Sequence, residues 1–228
     1  MKYRSSILTV IAAGFSLGVA PSAHAGLFEQ LSQAFQQAAQ EVKHLAEKTK
    51  HNVDSAVRHA RKSLRKSMRD AGQALIEATK KLSAPAAKQA LHGPFFAYIA
   101  ANRASFRWQA KKLRADEKKY LAAFFPQRLI DRVRVLERED TGFFNKSAGA
   151  TTFGPDFIII RKGHRSDSLL RHEFVHVCQY DRLGVQGFAH HYADQYVDGG
   201  YSYRNIAFEK QAYGFKSGTI QAYLGYCE

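Results

Sequence analysis

At 228 residues, 45% hydrophobic and 24% charged, the chain is long enough to bury a core and too apolar for a disordered polymer. Two cysteines exclude a disulfide-dense scaffold. The formal net charge of +14 favours anionic partners such as cell-surface polymers, acidic lipids or acidic proteins, and nothing pairs aromatic with basic residues in the manner of an RNA-binding sheet, so no nucleic acid is expected.

Residues 1–25 read as a signal peptide. Lys2 and Arg4 give a positive start, Ile7 to Ala20 form an apolar run, and Ala23-His24-Ala25 is a small-residue cleavage site before Gly26. The run is too short and glycine-interrupted for a comfortable membrane span. A periplasmic or secreted protein starting at Gly26 is the expectation.

Residues 26–90 read as a basic amphipathic helical region. No Gly or Pro interrupts residues 27–71, and apolar positions recur at Phe28, Leu31, Phe35, Ala38, Val42 and Leu45, then at Val53, Ala56, Ala60, Leu64 and Met68. Steps of three and four make one stripe on a helix. The stripe weakens around His51-Asn52, so either one long helix or a helical hairpin is expected, ending before Pro85. Packing on a domain or a second copy, association with an anionic surface or protein partner, and a propeptide or lid are the three uses open to it.

Ser83-Ala84-Pro85-Ala86-Ala87 and His92-Gly93-Pro94 punctuate the chain as a linker would. Residues 94–228 then have the length of one small domain. Phe95 to Phe125 reads as helical, stopped by Pro126. Arg132-Val133-Arg134-Val135-Leu136 alternates like a half-buried strand. Thr151 to Gly154 and Phe157 to Ile160 read as a hairpin, the second run apolar enough to be covered on both faces, yet also a candidate edge strand for an extended peptide. The fold class is α+β: a short sheet feeding two helices.

The first of those helices carries His172-Glu173-Phe174-Val175-His176, with Ser166, Asp167 and Ser168 as capping oxygens and Gly184 as a stop. Chance alone would give about 0.02 matches to H-E-x-x-H in such a chain. Residues four apart share a helix face, so His172 and His176 can both ligate one zinc ion, and Glu173 can act as general base on its water. Gln179 and Arg182 stand where a metzincin would need Gly and His, which excludes that class. The candidates for a third ligand are Asp194, Asp198, His190, His191 and Glu209. Glu209 is preferred because it lies in a second helical stretch with small Ala212 on its face, allowing close helix approach. Tyr213, one turn on, either steadies a developing oxyanion or packs, while Gln179 and Asn205 are candidates to orient ligands.

His172 to Tyr180 (H-E-F-V-H-V-C-Q-Y) followed by Asn205 to Tyr213 (N-x-x-x-E-x-x-A-Y) resembles the gluzincin class of zinc metallopeptidases. The sequence is similar, more narrowly, to short bacterial domains with H-E-x-x-H-x-x-Q and a downstream glutamate helix. The resemblance spans about Thr151 to Phe215. It implies a zincin-like domain with His172, His176 and Glu209 on Zn2+, Glu173 as general base, and a peptide or protein as substrate. Cys178 lies about 200° round the helix from His176 and faces away from the metal. Pairing with Cys227 in an oxidising compartment, or two free thiols, are both open, the disulfide being preferred. A protein without catalysis, stiffened by zinc and binding through residues 26–90, is the alternative function.

Overall fold

A computed structural model describes residues 53–141, 148–215 and Cys227. The expected signal peptide and residues 26–52 of the basic region lie outside the described residues. Among those described there are six α-helices and one four-stranded sheet, a mixed α/β architecture compatible with the α+β expectation.

Helix α1 (Val53–Thr79) belongs to a separate unit, Gly18–Lys81. Its apolar positions fall three and four apart, and the i,i+4 pair Lys66–Asp70 closes at 2.8 Å on its surface. Such exposed pairs add only a few tenths of a kcal/mol. No described helix is long and apolar enough to cross a membrane.

Among the described residues the second unit begins at Leu82. Helix α2 (Ala84–Phe106) occupies the stretch that reads as a linker. Pro85 fits its first turn, where the missing N–H is unused. Pro94 sits inside the helix, against the usual cost. Packing overrides that local signal, because α2 lies along the long helix described below, with Phe95 against Tyr192 and Tyr196 and His92 stacked on His190.

The single helix expected from Phe95 to Phe125 is not formed. After Phe106 the chain makes a 3-10 turn (Arg107–Gln109), strand β1 (Lys111–Lys112) and α3 (Ala115–Leu121), then α4 (Gln127–Arg132) after Pro126. Asp156 accounts for the break: its carboxylate accepts Arg103 Nη1 at 2.6 Å and Arg107 Nε at 2.8 Å, fixing the end of α2 against the turn at Gly154-Pro155-Asp156.

Strand β2 (Arg134–Arg138) pairs antiparallel with β1 and parallel with β4 (Phe157–Arg161), Leu136 opposite Ile159. Strand β3 (Ala150–Thr152) closes the expected hairpin, Thr152 opposite Ile158. The order β1-β2-β4-β3 makes β4 internal and corrects the reading of Phe157–Ile160 as an edge. Its apolar character reflects that place, all four residues being buried. Alternation sends Ile158 and Ile160 into one cluster with Leu170, Phe174 and Val177, and Phe157 and Ile159 into another with Phe153, Tyr180 and Phe188. Each such burial contributes about 1.5–3 kcal/mol.

Helix α5 (Asp167–Asp198) runs along the sheet. Ser166 caps it, its Oγ accepting Leu169 N at 3.3 Å. Gly184 ends its first half as expected, but by a kink: φ 68, ψ 173 is a conformation glycine adopts without strain, and helix resumes at once. A 3-10 turn (Tyr203–Asn205) then leads to α6 (Ala207–Gly214). Cys178 and Cys227 are disulfide-bonded, fastening the C-terminus to the buried side of α5.

Candidate metal centre

The first half of α5 is buried continuously from His172 to Tyr180, so its histidines work in a dry environment. His172 and His176 are each 5% exposed and Glu209 is 3% exposed. Helix α6 brings Glu209 against them, which is what small, fully buried Ala212 permits. Glu209 Oε2 lies 3.4 Å from His172 Nε2 and 3.5 Å from His176 Nε2.

Those separations exceed the usual hydrogen-bond range of about 2.7–3.2 Å. A tetrahedral centre with bonds of roughly 2.0–2.1 Å spaces its ligand atoms by roughly 3.3–3.4 Å, close to what is seen. His172, His176 and Glu209 are thus placed to hold a metal ion, the one such group that converges among the described residues.

The rest of the histidine chemistry agrees. His176 Nδ1 donates to Gln179 Oε1 at 2.8 Å, so Nε2 is the ring nitrogen turned towards Glu209. Gln179 is held in turn, its Nε2 donating to Gln211 Oε1 at 2.9 Å and to Phe208 O at 3.3 Å. The orienting role read for Gln179 is therefore formed by direct contact. His172 Nδ1 is buried with no hydrogen-bond partner, so nothing comparable fixes that ring from behind.

Charge is concentrated here. Burial opposes a proton on His176, but the Glu209 and Glu173 carboxylates and the Gln179 bond outweigh it and push its pKa up to about 9. Burial alone would raise Glu209; the His176 charge, with His172 close by and the Tyr203 hydroxyl donating, instead holds it well below the usual carboxylate range. A field that favours a proton also favours a cation, and a metal held at His176 Nε2 would take the place of that proton.

Both oxygens of Glu209 are also held by tyrosines. Tyr192 donates to Oε1 at 3.0 Å and Tyr203 makes a short hydrogen bond to Oε2. Burial and the adjacent carboxylate push both phenols well above their usual range, so they remain donors.

Glu173 is 3% exposed and turned towards the sheet, where Thr152 Oγ1 donates to its Oε2 at 2.7 Å. Tyr213 stands half exposed with its ring 4.5 Å from that of His172. Asn205 does not orient a ligand: it is exposed and its Nδ2 donates to Gly199 O at 2.8 Å, closing the turn after α5. The other candidates for a third ligand lie elsewhere. Asp194 bonds His92 at 2.7 Å, Asp198 pairs with Lys88, His190 stacks on His92, and His191 is exposed near Phe208.

Thr152, Tyr192, Tyr203 and Gln211 go unread in the sequence. They stand 21, 17 and 6 residues from the groups the first three hold, and 32 residues from Gln179 in the last case. No spacing rule links such positions.

No protein-family model matches the chain, and no match to it was found among curated proteins or solved structures. The likeness to gluzincins thus rests on the motif residues alone.

Proposed function

We propose that the second unit is a zinc-dependent metallopeptidase of zincin-like type, with His172, His176 and Glu209 as ligands and Glu173 as general base. The observation that supports it most is the convergence of two Nε2 atoms and one carboxylate oxygen at 3.4 and 3.5 Å, with a second buried carboxylate on the same helix turn. Zinc held by these three residues would lower the pKa of a water and polarise a carbonyl.

The chain's own groups supply the remainder. Glu173, anchored through Oε2 by Thr152, takes the proton of the attacking water on Oε1 and returns it to the leaving amine. Tyr213 is half exposed with its ring against that of His172, and its hydroxyl is assigned the oxyanion that develops. An extended peptide adds to the outer side of β3, the sheet edge whose Thr152 holds Glu173. Export belongs to the same proposal, supported by the Cys178–Cys227 bond, as does an anionic surface or protein partner for basic residues 26–90.

Elemental analysis and a peptide-cleavage assay test the reading together. About one zinc per chain is expected, with Glu173→Gln keeping the metal and losing at least roughly 10²-fold in cleavage. A chain that takes up no zinc when supplied with it sinks the proposal. Equal cleavage by Glu173→Gln removes Glu173 from the chemistry.

A further inference from the structure

We propose that Tyr192 and Tyr203 are positioning residues that present Glu209 to the metal through one oxygen only, keeping a coordination place open. The inference rests on the metal-centre reading above and adds to it how the third ligand is oriented.

A carboxylate beside a cation can ligate through one oxygen or both. Zinc in a hydrolytic site needs three protein bonds and an open place. A glutamate that swings to chelate with both oxygens fills that place. In this chain the two oxygens are treated differently. Oε2 is the atom within 3.4 and 3.5 Å of the histidine nitrogens, whereas Oε1 carries the Tyr192 hydroxyl at 3.0 Å. Turning Oε1 to the metal would break that bond in a buried setting, where an unmade hydrogen bond costs more than a made one contributes. Tyr203 donates to Oε2, which accepts one donor there and has a second lone pair for a metal.

The hydroxyls are aimed by packing, so they do not simply follow the carboxylate. The Tyr192 ring stacks on Phe188 at 5.6 Å and lies against Phe95 at 5.8 Å. Tyr192 comes from the second half of α5, beyond the Gly184 kink. Tyr203 comes from the turn that precedes α6. Two independently anchored donors therefore fix both the position and the rotation of Glu209.

The test uses the full chain, loaded separately with Zn2+ and Co2+. Zinc affinity is read by competition with a chelator, and the visible absorption of bound Co2+ reports coordination number, being intense for four ligands and weak for five or six. Tyr192→Phe and Tyr203→Phe are each expected to weaken zinc binding by roughly 10–100-fold. Tyr192→Phe is also expected to lose absorption per bound Co2+ as Oε1 joins the ion. Tyr180→Phe removes a nearby buried hydroxyl that bonds Thr152 O and not Glu209; it should leave affinity and spectrum as they were. Each Phe variant deletes one oxygen and decides the matter alone if the other folds poorly. Wild-type affinity and spectrum in a folded Tyr192→Phe and Tyr203→Phe overturn the proposal while the metal centre stands. A wild-type chain that binds neither ion overturns the metal centre and the clamp with it.

Discussion

Reducing the Cys178–Cys227 bond is expected to cost the second unit a large part of its stability without disturbing the metal ligands. The two residues are 49 apart in sequence, and closing a loop of that size removes roughly 4 kcal/mol of entropy from the unfolded chain. At about 2–4 °C per kcal/mol for a chain of this length, the melting point should fall by roughly 8–16 °C. The assay is thermal unfolding of the wild-type chain with and without a phosphine reductant, at fixed excess zinc. Cys178→Ala/Cys227→Ala should lose at least as much, since Cys178 is 2% exposed within the core and its truncation leaves a cavity, and the reductant should have no further effect on it. Zinc affinity at temperatures below the transition should be unchanged, because Cys178 lies about 200° round the helix from His176. Identical melting with and without reductant, or two titratable thiols in the untreated protein, would refute the reasoning.

Two further outcomes follow from charges and backbone away from the centre. Burial alone would raise the Glu117 carboxyl, but the Arg165 fork at 2.6 and 2.7 Å and the Arg114 N–H hold it below the usual range. A depressed folded pKa gives stability that is present above pH 4.5 and lost as pH falls through the lowered value. Urea unfolding from pH 7 to 3 should show that loss in the wild type and a flatter profile in Glu117→Gln. The variant should be about 3 kcal/mol less stable at pH 7, the lower end for breaking a buried pair, since Arg165 keeps Glu137. Gly154→Ala should cost about 2 kcal/mol or more, because φ +102 strains any side chain and the new Cβ would stand 2.1 Å from Arg103 Nη1. Arg103 cannot yield without leaving Asp156 and Phe153 O, each at 2.6 Å. A denaturation midpoint equal to wild type would refute it.

What the sequence makes legible follows from how local each cause is. His172, Glu173 and His176 occupy little more than one helical turn, so spacing alone puts the two rings on one side and the structure keeps them there. Glu209 is legible because a small residue beside a carboxylate signals close helix contact, and Ala212 is indeed fully buried. Pro94 misleads because the N–H it lacks is a local loss, while the packing of α2 on α5 that outweighs it is a long-range gain. Phe157 to Ile160 shows the same limit. Its apolarity says that both faces are covered, but whether a strand is central or at an edge depends on partners, and the β2–β4 pairing joins segments more than 20 residues apart. Asn205 stands four residues before Glu209 in sequence, yet the turn after α5 points it at Gly199.

The placing of Glu209 depends on both halves of α5. Helix α6 has eight residues, too few to be stable by itself, so its position must come from tertiary bonds. Its first turn is gripped from two sides: Gln195 Oε1 accepts Phe208 N at 2.9 Å, and Gln179 Nε2 donates to Phe208 O at 3.3 Å. Gln179 lies before the Gly184 kink and Gln195 after it. One helix can reach both sides of Phe208 because glycine lets its axis break there. None of these bonds, nor the Tyr192 bond to Oε1, uses a metal-facing atom. Glu209 is therefore held by bonds within the protein, and an ion bound there would add its affinity to the folded state by mass action.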